Sequence, residues 1–157
     1  MNLGLRPMRW WDVDAVQDIE ERAFAETAWS SETFWSELAG VPLTRYYVVA
    51  VSSERIVGYA GLMAVGPEAD VQTLAVASDA RRQGVGSQLL ESLIDEARHR
   101  GCSRLSLEVA ATSELAQRLY LRRGFEVVAR RSGYYGPRVD ALIMRLRLRN
   151  EPEESAR

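Results

Sequence analysis

The segment with the most chemical content is Arg81-Arg82-Gln83-Gly84-Val85-Gly86-Ser87. It joins a β-rich run, Val71 to Val76, to a long amphipathic run, Gln83 to Arg100. A helix opening here presents N–H groups that have no intrahelical partner, at the positive end of its macrodipole. Glycine at 84 and 86 removes side chains that would keep an anion away from that backbone. Two adjacent arginines add positive charge. Together these features predict a socket for a pyrophosphate. The competing reading of the same residues is a plain helix start with solvated arginines.

Neighbouring phosphate motifs do not fit. A dinucleotide fingerprint, GxGxxG, would need a third glycine where Leu89 stands, and this turn follows several strands. All 20 basic side chains of the 157-residue chain are arginine. Without lysine there is no GxxxxGK phosphate loop and no Schiff-base chemistry. One cysteine, Cys102, cannot form an internal disulfide or a multi-cysteine zinc site, and one histidine, His99, leaves little room for a two-histidine metal centre. No metal is therefore expected, and the setting reads as reducing and cytoplasmic. His99 reads as a dipole-compensating surface residue near a helix end, and Cys102 as a small buried filler.

Charge is unevenly spread. Residues 1–80 carry 5 Arg against 12 Asp and Glu, whereas residues 81–157 carry 15 Arg against 10. The sign changes at Arg81, where the pyrophosphate turn begins. The acidic half is expected to help attract cationic substrates, with a corresponding sensitivity to salt. The arginines are scattered over predicted helices and strands, so no nucleic-acid partner is expected. Trp10, Trp11, Trp29 and Trp35 read as core and substrate-side wall. No apolar run approaches ~20 residues and the N-terminus lacks a signal-peptide core, so no membrane partner is expected.

The elements that must position the turn alternate along the chain. Leu3 to Met8 predicts a strand, and Asp12 an N-cap for a helix to about Ala25. Ser30 caps a shorter helix carrying Phe34 and Leu38 one turn apart. Tyr46–Val51 and Arg55–Met63 predict a hairpin. The helix from Gln83 presents Leu89, Leu90, Leu93, Ile94 and Ala97 as an apolar stripe and stops at Gly101. Arg104–Val109 predicts a strand with Leu105, Leu107 and Val109 on one side, and Ser106 and Glu108 on the other. Ser113 caps a helix to about Arg123. Phe125–Arg130 and Asp140–Leu148 predict the last strands, joined by a loop, RSGYYGPRV. This order indicates an α/β fold with a mixed sheet. Residues 1–149 read as one domain, and 150–157 as a polar, disordered tail.

The RxxGxG turn after a strand resembles that of the GCN5-related N-acetyltransferases. LSLEV (105–109), LAQRLYLRRGFEVV (115–128), RRSGYYGPRVDALIMRL (130–146) and AWSSETF (28–34) narrow the resemblance to the ribosomal-protein alanine N-acetyltransferase (RimI) branch, over about residues 3 to 148. The resemblance implies a single-domain fold with a mixed, mostly antiparallel sheet of about six or seven strands and about four helices. It also implies acetyl-CoA as cosubstrate. Leu74, Ala75 and Val76 would contact it through their backbone, and Arg82, Gln83, Gly84, Val85, Gly86 and Ser87 would hold its pyrophosphate. Glu108 matches the branch's general base and Tyr120 its general acid, beside the coenzyme. Tyr134 and Tyr135 would line the peptide entrance. Two positions depart from the branch: Ala110 replaces its usual arginine, and Ser113 replaces an asparagine that often contacts the cofactor.

The residue types suit this chemistry. Amine acetylation needs a neutral amine, an acceptor for its proton and a donor for the departing thiolate. A carboxylate can be the acceptor, and a phenol of ordinary pKa ~10 the donor. The activity implied is transfer of acetyl to the N-terminal α-amine of a protein, with a ribosomal protein bearing N-terminal alanine as the leading acceptor. Transfer would be direct, in a ternary complex, since no well-placed nucleophile is evident. The rivals are a small-molecule amine or lysine acetyltransferase on the same fold and a non-catalytic coenzyme A-binding sensor.

Overall fold

Ser53 and Glu54 both adopt positive φ, 51° and 64°, the geometry of a two-residue turn whose twist matches its flanking strands. They close the hairpin of β2 (Arg45–Ser52) and β3 (Arg55–Val65). A computed structural model describes residues 2–136 and 139–148 of the chain. The remaining elements are β1 (Leu3–Pro7), α1 (Val13–Phe24), α2 (Ser31–Ala39), β4 (Glu68–Val76), α3 (Val85–His99), β5 (Arg104–Ala110), α4 (Glu114–Arg122), β6 (Glu126–Gly136) and β7 (Val139–Arg147). The seven strands form one mixed, mostly antiparallel sheet in the order β1-β2-β3-β4-β5-β7-β6, and the β4–β5 pair is parallel.

Two compact units divide the chain. The first comprises Met1–Met63 and Val71–Leu93. Its core gathers Val13, Val16 and Ile19 of α1 and Phe34 of α2 against Tyr47, Val49, Tyr59 and Ala75 of the strands. Phe34 meets the Tyr59 ring edge-on at 5.8 Å, a favoured aromatic geometry. Ser30 caps α2 as the sequence predicts, its hydroxyl accepting from the Thr33 N–H at 3.3 Å. Asp12 behaves differently. It makes no side-chain cap on α1; its carboxylate accepts from the Arg9 N–H and binds the Arg6 guanidinium at 2.7 Å. A short 3-10 turn at Trp10–Asp12 precedes α1, and a charged partner on β1 wins the carboxylate. Trp29 is half-buried against the core, whereas Trp10, Trp11 and Trp35 stand largely in solvent.

The second unit comprises Ala64–Asp70 and Ile94–Arg157. β5 buries Leu105, Leu107 and Val109 and turns Ser106 and Glu108 away, as the alternation predicts. Leu142 and Met144 of β7 stand opposite Val109 and Leu107 and continue that apolar face. Cys102 is buried. Two strands depart from the sequence expectation. β4 begins at Glu68, before Val71, because Glu68–Asp70 pair with Arg104–Ser106. The stretch predicted as a loop, RSGYYGPRV, is mostly strand: β6 runs to Gly136, paired with Val139, with register shifts between Val127 and Ala129 and between Arg131 and Gly136. Long-range pairing with β7 holds residues whose local composition reads as a turn. The 150–157 tail lies outside the described residues.

Candidate active site

In the first unit, Val76 ends β4 and a 3-10 turn at Ser78–Ala80 leads to the arginine–glycine segment. Arg82 adopts φ 64° and Gly84 φ 80°. Only glycine visits this region without cost, so Gly84 suits the sharp entry into α3. The helix therefore starts at Val85, two residues later than predicted, with Gln88 donating to the Gly84 carbonyl at 3.1 Å. Val85 is buried and anchors the first turn, while residues 81–84 and Ser87 are exposed. A Cβ placed on Gly84 would meet nothing within 4 Å. The first turn contains no acidic residue, and neither Arg81 nor Arg82 is ion-paired among the described residues. Free N–H groups, the helix dipole and two available guanidinium groups are together a fit for a pyrophosphate.

Two acidic side chains that no sequence pattern singles out fix β4 just ahead of Leu74, Ala75 and Val76. Glu20 of α1 is almost fully buried. Its carboxylate accepts from the Thr73 hydroxyl at 3.1 Å, the Trp29 N–H at 3.1 Å and the Tyr59 hydroxyl. Glu37 of α2 does the same for the next residue back, accepting from Gln72 at 3.1 Å, Tyr47 at 2.6 Å and Arg45 at 3.0 Å. Burial pushes the Tyr47 and Tyr59 phenols well above their ordinary value. For Tyr59 the Glu20 charge and hydrogen bond add to that, and for Tyr47 the hydrogen bond it donates to Glu37 and the Glu37 charge do so. Both phenols thus remain donors. The apolar spacing of α1 and α2 marks Glu20 and Glu37 only as polar interruptions, so nothing local gives them away.

In the second unit, Glu108 stands on the polar face of β5. One row across the sheet holds Glu108 and Ile143, and the next holds Ala110, Ala141 and Arg131, on β5, β7 and β6 respectively. Arg131 crosses over β7 and donates to Glu108 Oε1 at 3.0 Å. Its guanidinium carbon also lies 4.8 Å from the centre of the Tyr134 ring. The Glu108 side chain remains one-third exposed. Asp70 of β4 faces Ser106 of β5 across the parallel ladder, and Ser106 Oγ accepts from Arg145 at 3.2 Å. Burial raises the Asp70 pKa; the charges of Glu68 and Glu108 add to this and Arg145 opposes it.

Tyr120 is buried on α4 with its ring 5.6 Å from that of Phe125. Tyr134 is half exposed on β6. Tyr135 lies on β6 as well, with its side chain outside the described residues. Ser113 precedes α4 but makes no side-chain cap. Gln117 takes over the local bonding by donating to the Ala110 and Ala111 carbonyls at 3.1 and 2.9 Å. The structure thus gathers Glu108, Arg131 and Tyr134 directly. In the sequence Arg131 stands out only as part of the RRSGYYG pattern, because its contact depends on β7 lying between β5 and β6.

Comparison with known proteins gives a concordant result. The model of the Acetyltransferase (GNAT) family matches residues 9–125. The Escherichia coli K12 ribosomal protein bS18-alanine N-acetyltransferase is 38% identical over 139 residues, covering 86% of this chain and 90% of that protein. The crystal structure of the ribosomal-protein-S18-alanine N-acetyltransferase from Escherichia coli superimposes with a TM-score of 0.85 at 32% identity, covering 98% of both chains. That of the ribosomal-protein-alanine N-acetyltransferase from Brucella melitensis gives 0.80 at 26% identity, over 92% of this chain and 99% of the other.

Proposed function

The chain belongs to the acetyltransferase (GNAT) family and is an acetyl-CoA-dependent N-acetyltransferase, and on that premise we propose that its acceptor is the N-terminal α-amine of a protein. A ribosomal protein beginning with alanine is the acceptor we favour. The observation that carries this reading is the 38% identity to an enzyme of that description over most of both chains. The partly exposed Glu108 carboxylate on β5 supports it.

Bound acetyl-CoA would supply the activated acetyl group and the sulfur leaving group. The residues that would hold it are Arg82, Gln83, Gly84, Val85, Gly86 and Ser87 at the pyrophosphate, and the backbone of Leu74, Ala75 and Val76. Ser113 is a further candidate contact. Glu108 would accept the proton released by the attacking amine, directly or through water, and Tyr120 would donate its phenolic proton to the departing sulfur. Tyr134 and Tyr135 would line the approach of the peptide. A direct transfer in a ternary complex needs no covalent enzyme intermediate. The buried position of Cys102 supports that reading.

An α-amine suits a carboxylate base. With a pKa of ~7.8, roughly a tenth of it is neutral at pH 7, whereas a lysine side chain of pKa ~10.4 is neutral in fewer than one molecule in a thousand. The test is to acetylate a purified small ribosomal protein with N-terminal alanine and locate the acetyl group by mass spectrometry. Modification of the first residue is expected. Modification confined to lysines, or none with rapid acetylation of free small amines, would overturn the assignment.

A further inference from the structure

We propose that Arg131 is a specificity-determining residue, whose guanidinium on Glu108 favours acceptor amines that arrive neutral. The proposal rests on the reading of Glu108 as the proton acceptor. Arg131 starts on the edge strand β6, yet it reaches β5 two strands away. The route is open because Ala141 and Ala110 occupy its row on this face.

The pairing is held at both ends. Arg131 Nη1 donates to Glu108 Oε1 at 3.0 Å, and the Tyr134 ring lies against the guanidinium at 4.8 Å. A cation placed over an aromatic face is attracted by the ring quadrupole. The guanidinium engages one carboxylate oxygen, Oε1. An incoming ammonium would compete with a positive charge already in place and be repelled by it. A neutral amine meets no such repulsion and can hydrogen-bond to the carboxylate as it reacts. An acceptor that binds only when neutral loses no turnover to its own protonated form.

The experiment compares wild type, Arg131→Gln and Arg131→Lys, and measures two quantities on each. One is the ratio of kcat at pH 7 to kcat at about pH 9 for a peptide with a free N-terminal alanine, which falls when the ammonium form occupies the site unproductively. The other is inhibition by the same alanine peptide carrying an N-terminal trimethylammonium, a permanent cation that cannot react. Arg131→Gln is expected to lower the ratio and to tighten the inhibitor by about fivefold, the upper range for a partly exposed ion pair. Arg131→Lys, which keeps the charge, is expected to restore much of both. A ratio and an inhibition constant that stay unchanged in Arg131→Gln would overturn the proposal. So would a loss that Arg131→Lys does not restore, since that would point to packing. Glu108→Gln separates this from the underlying reading: full activity in that variant removes the base assignment whatever Arg131 does, whereas a large loss there with an unresponsive Arg131→Gln removes only the specificity role.

Discussion

The Glu20 carboxylate on α1 accepts a hydrogen bond from the Thr73 hydroxyl on β4 at 3.1 Å, one residue before the segment proposed to contact acetyl-CoA through its backbone. The same carboxylate takes the Tyr59 hydroxyl and the Trp29 N–H. Three donors therefore depend on one buried side chain, and removing it strands all of them. Glu20→Ala is expected to cost about 3 kcal/mol or more in unfolding free energy. Urea denaturation measures this, with exposed Glu26→Ala as the near-neutral control. Equal midpoints for the two variants would contradict a structural role for the carboxylate.

Arg82 combines a useful charge with an unfavourable backbone, at φ 64°. Arg82→Gly relieves a conformation that costs a side-chain-bearing residue about 1–2 kcal/mol, although glycine returns part of that as unfolded-state entropy. The variant is expected to be at least as thermally stable as wild type and yet to show a higher KM for acetyl-CoA. Calorimetry and initial rates measure the two effects separately. An unchanged KM would remove Arg82 from the pyrophosphate site.

Asp70 makes stability depend on pH in a direction opposite to most carboxylates. Burial, chiefly, raises its pKa in the folded chain above the ordinary 3.8. The folded state therefore holds its proton more tightly, and the associated stability is present below the unfolded pKa and is lost as pH rises through the folded one. Asp70→Asn abolishes the penalty of the partly buried charge. Its melting temperature is expected to exceed that of wild type near neutral pH, with the gain vanishing below about pH 3.8. A gain independent of pH would show that charge is not its cause.

Glu108→Gln and Tyr120→Phe are expected to lower kcat by on the order of a hundredfold. The affinity for coenzyme A, followed by calorimetry, should change little. Tyr120→Phe keeps the ring that packs on Phe125, so its loss of rate should come without a loss of folded protein. Normal turnover in Tyr120→Phe would mean that the phenol serves only the core.

Much of this was legible in the sequence where the signal is local. The apolar stripe Leu89, Leu90, Leu93, Ile94 and Ala97 of α3 is fully buried, since side chains three and four apart share a helix face. The alternation along β5 placed Glu108 on the polar side, and Ser30 capped α2 as its residue type predicts. What escaped depends on strand order and on competition. Arg131 meets Glu108 only because β6 and β5 flank β7. Asp12 has the residue type of a cap, but Arg6, brought alongside by β1, is the stronger partner. Glu20 and Glu37 each collect donors from distant strands, and no spacing within a helix announces that. The stretch around Arg131 reads as a turn by composition, but pairing with β7 extends it into strand.

The acceptor is the central claim, and two peptides test it directly. Both are basic; one has a free N-terminal alanine and no lysine, and the other is N-terminally blocked and contains one lysine. With acetyl-CoA saturating at pH 7, kcat/KM for the first should exceed that for the second by about three hundredfold, as the difference in neutral amine requires. Equal values, or preference for the blocked lysine peptide, would contradict an enzyme that acetylates protein N-termini.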